Sequence, residues 1–133
     1  MSTVLTKAPP KPRPKHLDLT KIRLPLPGWV SIMHRISGAA LFLAIPGFLW
    51  LLDKSLTTEV GFDWLRGLLS LWWVKLALFG LLYGYLHHFC AGIRYLFLDL
   101  HKGIDLPSAR KSAGAVYFIS IPLAILVGWR LFL

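Results

Sequence analysis

Three stretches of this 133-residue chain contain no Asp, Glu, Lys or Arg: residues 36–52, 76–93 and 112–129, which are 17, 18 and 18 residues long. A bilayer core of about 30 Å needs roughly 20 residues of helix to cross it. With its flanking residues each stretch reaches that length, and the spacing predicts membrane-spanning helices over about 29–52, 68–98 and 113–133. The rest of the chain is too short to hold a second domain. Composition supports this reading. The chain is 56% hydrophobic and only 16% charged, with a mean hydropathy of +0.60, whereas soluble domains average about 25% charged residues. That apolar content excludes disorder, and it argues against a soluble nucleic-acid binder despite a net charge of +9. The expected fold class is all-α and integral to the membrane, with three transmembrane helices. At roughly 1.5 Å per residue the second span would reach about 46 Å, so it must tilt or project from the bilayer.

The charges between the spans sort by side. Residues 1–28 carry Lys7, Lys11, Arg13, Lys15, Lys21 and Arg23 against Asp18. The loop 53–66 holds Lys54 and Arg66 against Asp53, Glu59 and Asp63, while the loop 99–112 holds Lys102, Arg110 and Lys111 against Asp99 and Asp105. Basic residues favour the cytoplasmic face. The tail 1–28 and the second loop are therefore expected inside, and the first loop and the C-terminus outside, with the transmembrane domain occupying 29–133. No small-residue cleavage site follows Leu52, so the first span is not expected to be a removable signal peptide. The proline-rich run K-A-P-P-K-P-R-P-K cannot form the amphipathic helix of a mitochondrial transit peptide. A bacterial inner membrane is the expected location.

Charge and hydrogen-bonding capacity inside a span cost free energy, roughly 2.5–3.5 kcal/mol for a central charge on insertion scales, so the polar exceptions are informative. The first helix carries Ser31, His34 and Arg35; the second carries Lys75, His87, His88 and Arg94; the third carries no charge until Arg130. Polar function is thus concentrated on two helices, and the third reads as packing. Ser31 and Arg35 are four apart and share a helical face, with Gly38 continuing it. A hydroxyl, an imidazole and a guanidinium within five positions can bind a carbonyl or carboxylates; the plainer reading of Arg35 alone is a side chain reaching the interface. On the second helix Gly80, Gly84, His88 and Gly92 recur every four residues. Bare backbone on either side of an imidazole admits a flat group such as haem, for which neutral histidine is a common axial ligand. The same stripe also suits close packing of helices through small residues. His87 points about 100° away from His88 and cannot share its ligand geometry. Lys75 is expected to snorkel, Cys90 to act as an apolar filler, and the six tryptophans to form interfacial belts. A single cysteine excludes an internal disulfide and an iron–sulfur cluster, which needs about four thiolates.

Two segments together resemble a known family. R-P-K-H-L-D-L-T-K-I-R-L-P-L (13–26) running into S-I-M-H-R-I-S-G (31–38), and H-H-F-C-A-G-I-R-Y-L-F-L-D-L-H-K-G (87–103), are similar to the cytochrome b anchor subunit of succinate dehydrogenase, respiratory complex II. The likeness covers about residues 13–130. It implies a subunit without catalytic chemistry of its own, forming a helix bundle with a second small membrane-anchor subunit. The pair would seat a flavoprotein and an iron–sulfur subunit on the cytoplasmic face, and electrons from succinate would reach ubiquinone in the bilayer. Matched residue by residue, it implies His88 as axial ligand to the iron of a haem b shared with the partner. It places His34, Arg35 and Tyr95 near the haem propionates, and Ser31 with Arg35 at the quinone. The chain departs from the usual pattern at Tyr95, where many relatives carry a histidine; Tyr95 lies seven residues past His88 on its face, so its hydroxyl is the group available instead.

Two other readings compete. A fumarate reductase anchor would share fold and topology but run the redox chemistry in the opposite direction. A haem-free structural anchor or small transport subunit would use the histidines differently, although a transporter should carry polar residues on several helices, and the third helix here is bare.

Overall fold

The structure is a computed structural model that describes residues 22–132; most of the basic N-terminal tail lies outside them. The described chain is all-α, and its elements are α1 (Leu26–Thr57), α2 (Glu59–Ser70), α3 (Trp72–Asp99) and α4 (Leu106–Phe132). Three of them, α1, α3 and α4, are long and apolar enough to cross a membrane. Each is longer than its uncharged core, because flanking polar turns stay helical. α1 begins at Leu26, capped by Pro25 and with Pro27 inside its first turn, where a missing N–H costs nothing. α4 begins seven residues before the expected start. Asp105 accepts a hydrogen bond from the backbone N–H of Ser108 at 3.0 Å, the side-chain cap that satisfies a helix's free donors. That bond holds the Asp105 carboxyl below its ordinary pKa.

α2 occupies most of the segment expected to be a loop and also takes residues 68–70 from the expected second span. That span begins instead at Trp72, after a break at Leu71. Around its axis Glu59, Asp63, Arg66 and Ser70 fall on one side, while Val60, Trp64, Leu65, Leu68 and Leu69 fall on the other. Its charges therefore mark one face of a helix rather than an irregular connection. Thr58 alone separates α1 from α2, and its hydroxyl accepts from the N–H of Gly61 at 3.0 Å. Gly61 is required at this corner, because a Cβ there would run into the carbonyl of Lys54. The ring of Trp64 meets that of Trp50 edge to face, 5.6 Å between centroids.

α3 runs antiparallel to α1 and α4 and packs against both. The buried residues of α4 are Ala113, Val116, Ser120, Ala124 and Gly128, a seam of small side chains that lets helices approach closely. At its far end Gly128 faces the Phe79 ring, where a Cβ would come within 2.6 Å of ring carbons. Lys75 does more than snorkel, since its ammonium donates to the Phe132 carbonyl at 3.2 Å and so caps the negative end of α4. α3 ends in a left-handed turn: Lys102 N–H bonds to the Phe97 carbonyl, His101 N–H to that of Leu98, and His101 has φ 57°. This is the Schellman arrangement, with histidine where glycine is usual. Core burial is sparse. Val30, Ala91, Ala113 and Val116 form the central cluster, with Cys90 packed against it as a small filler. α1 buries only Val30 and Ser37, so most of its surface is open to lipid or to another chain.

Candidate functional site

The polar residues of α1 and α3 meet where the two helices cross. His34 and His88 stack face to face, 4.1 Å between centroids and 7° from parallel. Tyr95 closes the cluster from the side, its ring centroid 5.0 Å from that of His34. This approach depends on the missing side chain of Gly38. A Cβ on Gly38 would sit 2.8 Å from Cε1 of His88, one on Gly92 would sit 3.8 Å from Nε2 of His34, and one on Gly84 would sit 3.8 Å from Cβ of Ser37. Gly84 and Gly92 face α1 at ordinary contact distance, whereas Gly80 faces open space. The room beside His88 is filled on these sides by the chain's own α1.

Hydrogen bonds fix the orientation of His88. Its Nδ1 lies 3.0 Å from the carbonyl of His34 and 3.3 Å from the hydroxyl of Ser37. The Ser37 hydroxyl donates to the same His34 carbonyl at 3.0 Å. A carbonyl can only accept, so the proton belongs on Nδ1, and Nε2 carries the free lone pair. A ring held through one nitrogen by a backbone carbonyl, with the other left as a donor to metal, is the usual support of a ligating histidine. Ser37 was not singled out by its sequence, although it lies three residues after His34 in the S-I-M-H-R-I-S-G segment.

His34, Tyr95 and His88 are therefore brought together. Ser31 is half-buried and Arg35 exposed, three residues before and one after His34 on α1, and neither is enclosed by the described chain. The Tyr95 hydroxyl is buried without a hydrogen-bond partner among the described residues, an arrangement that costs about 1–3 kcal/mol unless an acceptor arrives. Arg94 turns the other way, toward α4: Nε donates to the Ser112 hydroxyl at 3.0 Å and Nη2 to the Ala109 carbonyl at 3.4 Å. His87 is fully buried between Tyr83 and Tyr117. The Val30 backbone lies near it without completing a well-formed hydrogen bond, and neither ring nitrogen has a partner among the described residues. Among the described residues no group of three or more His, Cys, Asp or Glu could hold a metal ion by itself.

The crossing makes a direct prediction. Gly38→Ala should lower stability by about 1–3 kcal/mol, the usual cost of overpacking, because its methyl must displace the His88 ring or part the helices. Thermal denaturation in detergent checks this, and an unchanged midpoint would mean that the crossing is not tight.

The sequence pattern described as succinate dehydrogenase/fumarate reductase transmembrane subunit matches residues 9–127. The chain belongs to this family. Among similar proteins is the succinate dehydrogenase cytochrome b556 subunit of Coxiella burnetii, 40% identical over 117 residues, covering 87% of this chain and 94% of that protein. The subunit of the same name from Paracoccus denitrificans is 34% identical over 114 residues, covering 86% and 88%. That from Rickettsia felis is 28% identical over 117 residues, covering 88% and 90%. Membership in this transmembrane-subunit family accords with the three candidate spans, and the chain is a multi-pass membrane protein.

Proposed function

We propose that this chain is the cytochrome b membrane anchor of a succinate dehydrogenase. In this reading it shares a haem b with a second small membrane-anchor subunit, contributes to a ubiquinone site, and anchors the flavoprotein and iron–sulfur subunits. The observation that carries it is the His88 imidazole, pinned through Nδ1 by the His34 carbonyl so that Nε2 is left to a metal. The residues present fit a haem. A neutral imidazole adds no charge to the membrane interior, and the unpartnered Tyr95 hydroxyl can donate to an anionic propionate. Arg35 and His34 stand nearby as cationic or hydrogen-bonding partners for propionates. Bound there, the haem would supply reversible one-electron chemistry at iron.

The chain's own residues do the positioning. Ser37 and the His34 carbonyl hold His88 in one tautomer, and Gly38 lets α1 and α3 close on the stacked rings. Among the described residues one histidine is held in this way, so any further protein ligand to the iron would come from the partner. Ser31 and Arg35 would present a hydroxyl and a guanidinium to a quinone carbonyl, where negative charge develops on reduction. Both are accessible from outside the chain, as a site completed by a neighbouring subunit requires. The basic tail and second loop would face the cytoplasm, toward the soluble subunits of a bacterial inner-membrane complex.

A tagged chain purified gently from its native membrane should bring down a flavoprotein and an iron–sulfur protein, and the preparation should reduce ubiquinone with succinate. Its isolation alone, or with unrelated subunits, would overturn the assignment. The family description spans fumarate reductases too, and faster fumarate reduction by a reduced quinone than succinate oxidation would favour that second reading.

A further inference from the structure

On the opposite side of α3 from the stacked histidines, α3 and α4 enclose a groove of about 420 Å³, within the range of volumes that hold small ligands. Its walls are apolar, with Ile93 and Phe97 from α3 and Ala115 and Ile119 from α4. Ile93, Phe97 and Ile119 are exposed, so the groove opens to the outside of the bundle. At the end next to the α3–α4 turn the lining changes character, and Arg94, Ser112 and Lys102 border it. Arg94 is only 7% exposed, and both of its polar contacts among the described residues are neutral. Two of its five N–H donors are used, leaving three for an acceptor. The Tyr95 ring centroid lies 5.4 Å from the Arg94 Cζ, a weak cation–π contact. Among the described residues no carboxylate pairs with Arg94, and a buried guanidinium without an anion is costly. Around this end the chain places Arg94, Lys102, Arg110 and Lys111 against Asp99 and Asp105, and the Asp105 carboxylate is already engaged in capping α4.

A cationic mouth on a long apolar slot matches an amphiphile with an anionic head and a hydrocarbon chain. From Ser112 to Leu123 the groove follows α4 for roughly 16 Å at 1.5 Å per residue, a length suited to one acyl chain. We propose that this groove binds an anionic phospholipid, with its phosphate between Arg94 and Lys102 and one acyl chain lying between α3 and α4. Basic pockets between transmembrane helices are a known means of recognising such headgroups. The site uses none of the residues assigned to haem or quinone, and it stands whether or not those assignments do.

The test is lipid retention measured by native mass spectrometry on the full chain with its co-purifying subunits, reconstituted in nanodiscs of phosphatidylcholine with graded phosphatidylglycerol. Each basic side chain near a membrane surface is worth about a fivefold gain toward anionic lipid, so two predict roughly a 25-fold preference for phosphatidylglycerol. Lys102→Gln should reduce that preference about fivefold. Ala115→Trp fills the slot without touching a charge and should abolish retention of the bound lipid. Equal retention of the two headgroups by the unmodified protein would overturn the proposal, whatever the variants do. So would undiminished retention in Ala115→Trp, or a partner helix found seated in the groove with no lipid retained.

Discussion

His88→Leu is expected to strip the haem from the assembled complex, or to leave it with an altered ligand field and a shifted spectrum, whereas His87→Leu does neither. The two neighbours differ in what surrounds them. His88 is bonded through Nδ1 to the His34 carbonyl and the Ser37 hydroxyl, and its Nε2 is left to donate. His87 is buried between two tyrosines with both nitrogens unpartnered among the described residues, in surroundings that suit an apolar side chain. Leucine at 87 removes buried polar atoms that gain nothing, a change that is neutral or stabilising. Leucine at 88 preserves bulk and apolarity, so the helix still inserts, but it removes the ligand. Losing an outer-shell partner typically costs 10–100-fold in metal affinity, and losing the ligand itself should exceed that. The low-spin b-type signal of the unmodified complex should therefore be lost in His88→Leu, whether the haem leaves or stays with a changed ligand field. Retention of the low-spin spectrum in His88→Leu with its loss in His87→Leu would show that the wrong member of the pair had been chosen.

Arg35→Ala should slow ubiquinone reduction by about 10²–10³-fold, the usual cost of removing one donor to a developing negative charge. Succinate oxidation with a water-soluble acceptor should persist, because that reaction belongs to the soluble subunits. Ser31 and Arg35 share a face of α1, Arg35 is exposed, and they flank His34, whose ring stacks on His88. Complex yield measured in parallel separates a kinetic defect from an assembly defect. Arg35→Lys, which keeps the charge but loses the planar fork, should recover part of the rate. A fully assembled Arg35→Ala complex with unchanged quinone kinetics would remove Arg35 from the site.

Much of this was legible from residue types and their spacing. The three uncharged stretches located the spans, because nothing but lipid or protein can surround such segments. The costly residues on two of those spans located the cluster, and the structure joins His34, His88 and Tyr95 there. The four-residue glycine stripe was only half informative. Spacing shows that one side of α3 is bare, but it cannot say what approaches, and at Gly84 and Gly92 it is α1 of the same chain. α2 was hidden because its charges were counted along the chain rather than around an axis; plotted at 100° per residue, they fall on one side. The early start of α4 was signalled by Asp105 and Pro107, a cap and a first-turn proline, but the absence of an apolar run there concealed it. The bond between Lys75 and the end of α4 depends on residues 57 positions apart, which no local pattern encodes.

Whether this anchor holds a b-type haem on His88 is decided by a reduced-minus-oxidised absorption spectrum of the unmodified, gently purified complex. A low-spin b-type signal at one haem per chain, lost in His88→Leu, is expected. A complex that oxidises succinate and reduces ubiquinone with no haem signal would contradict it.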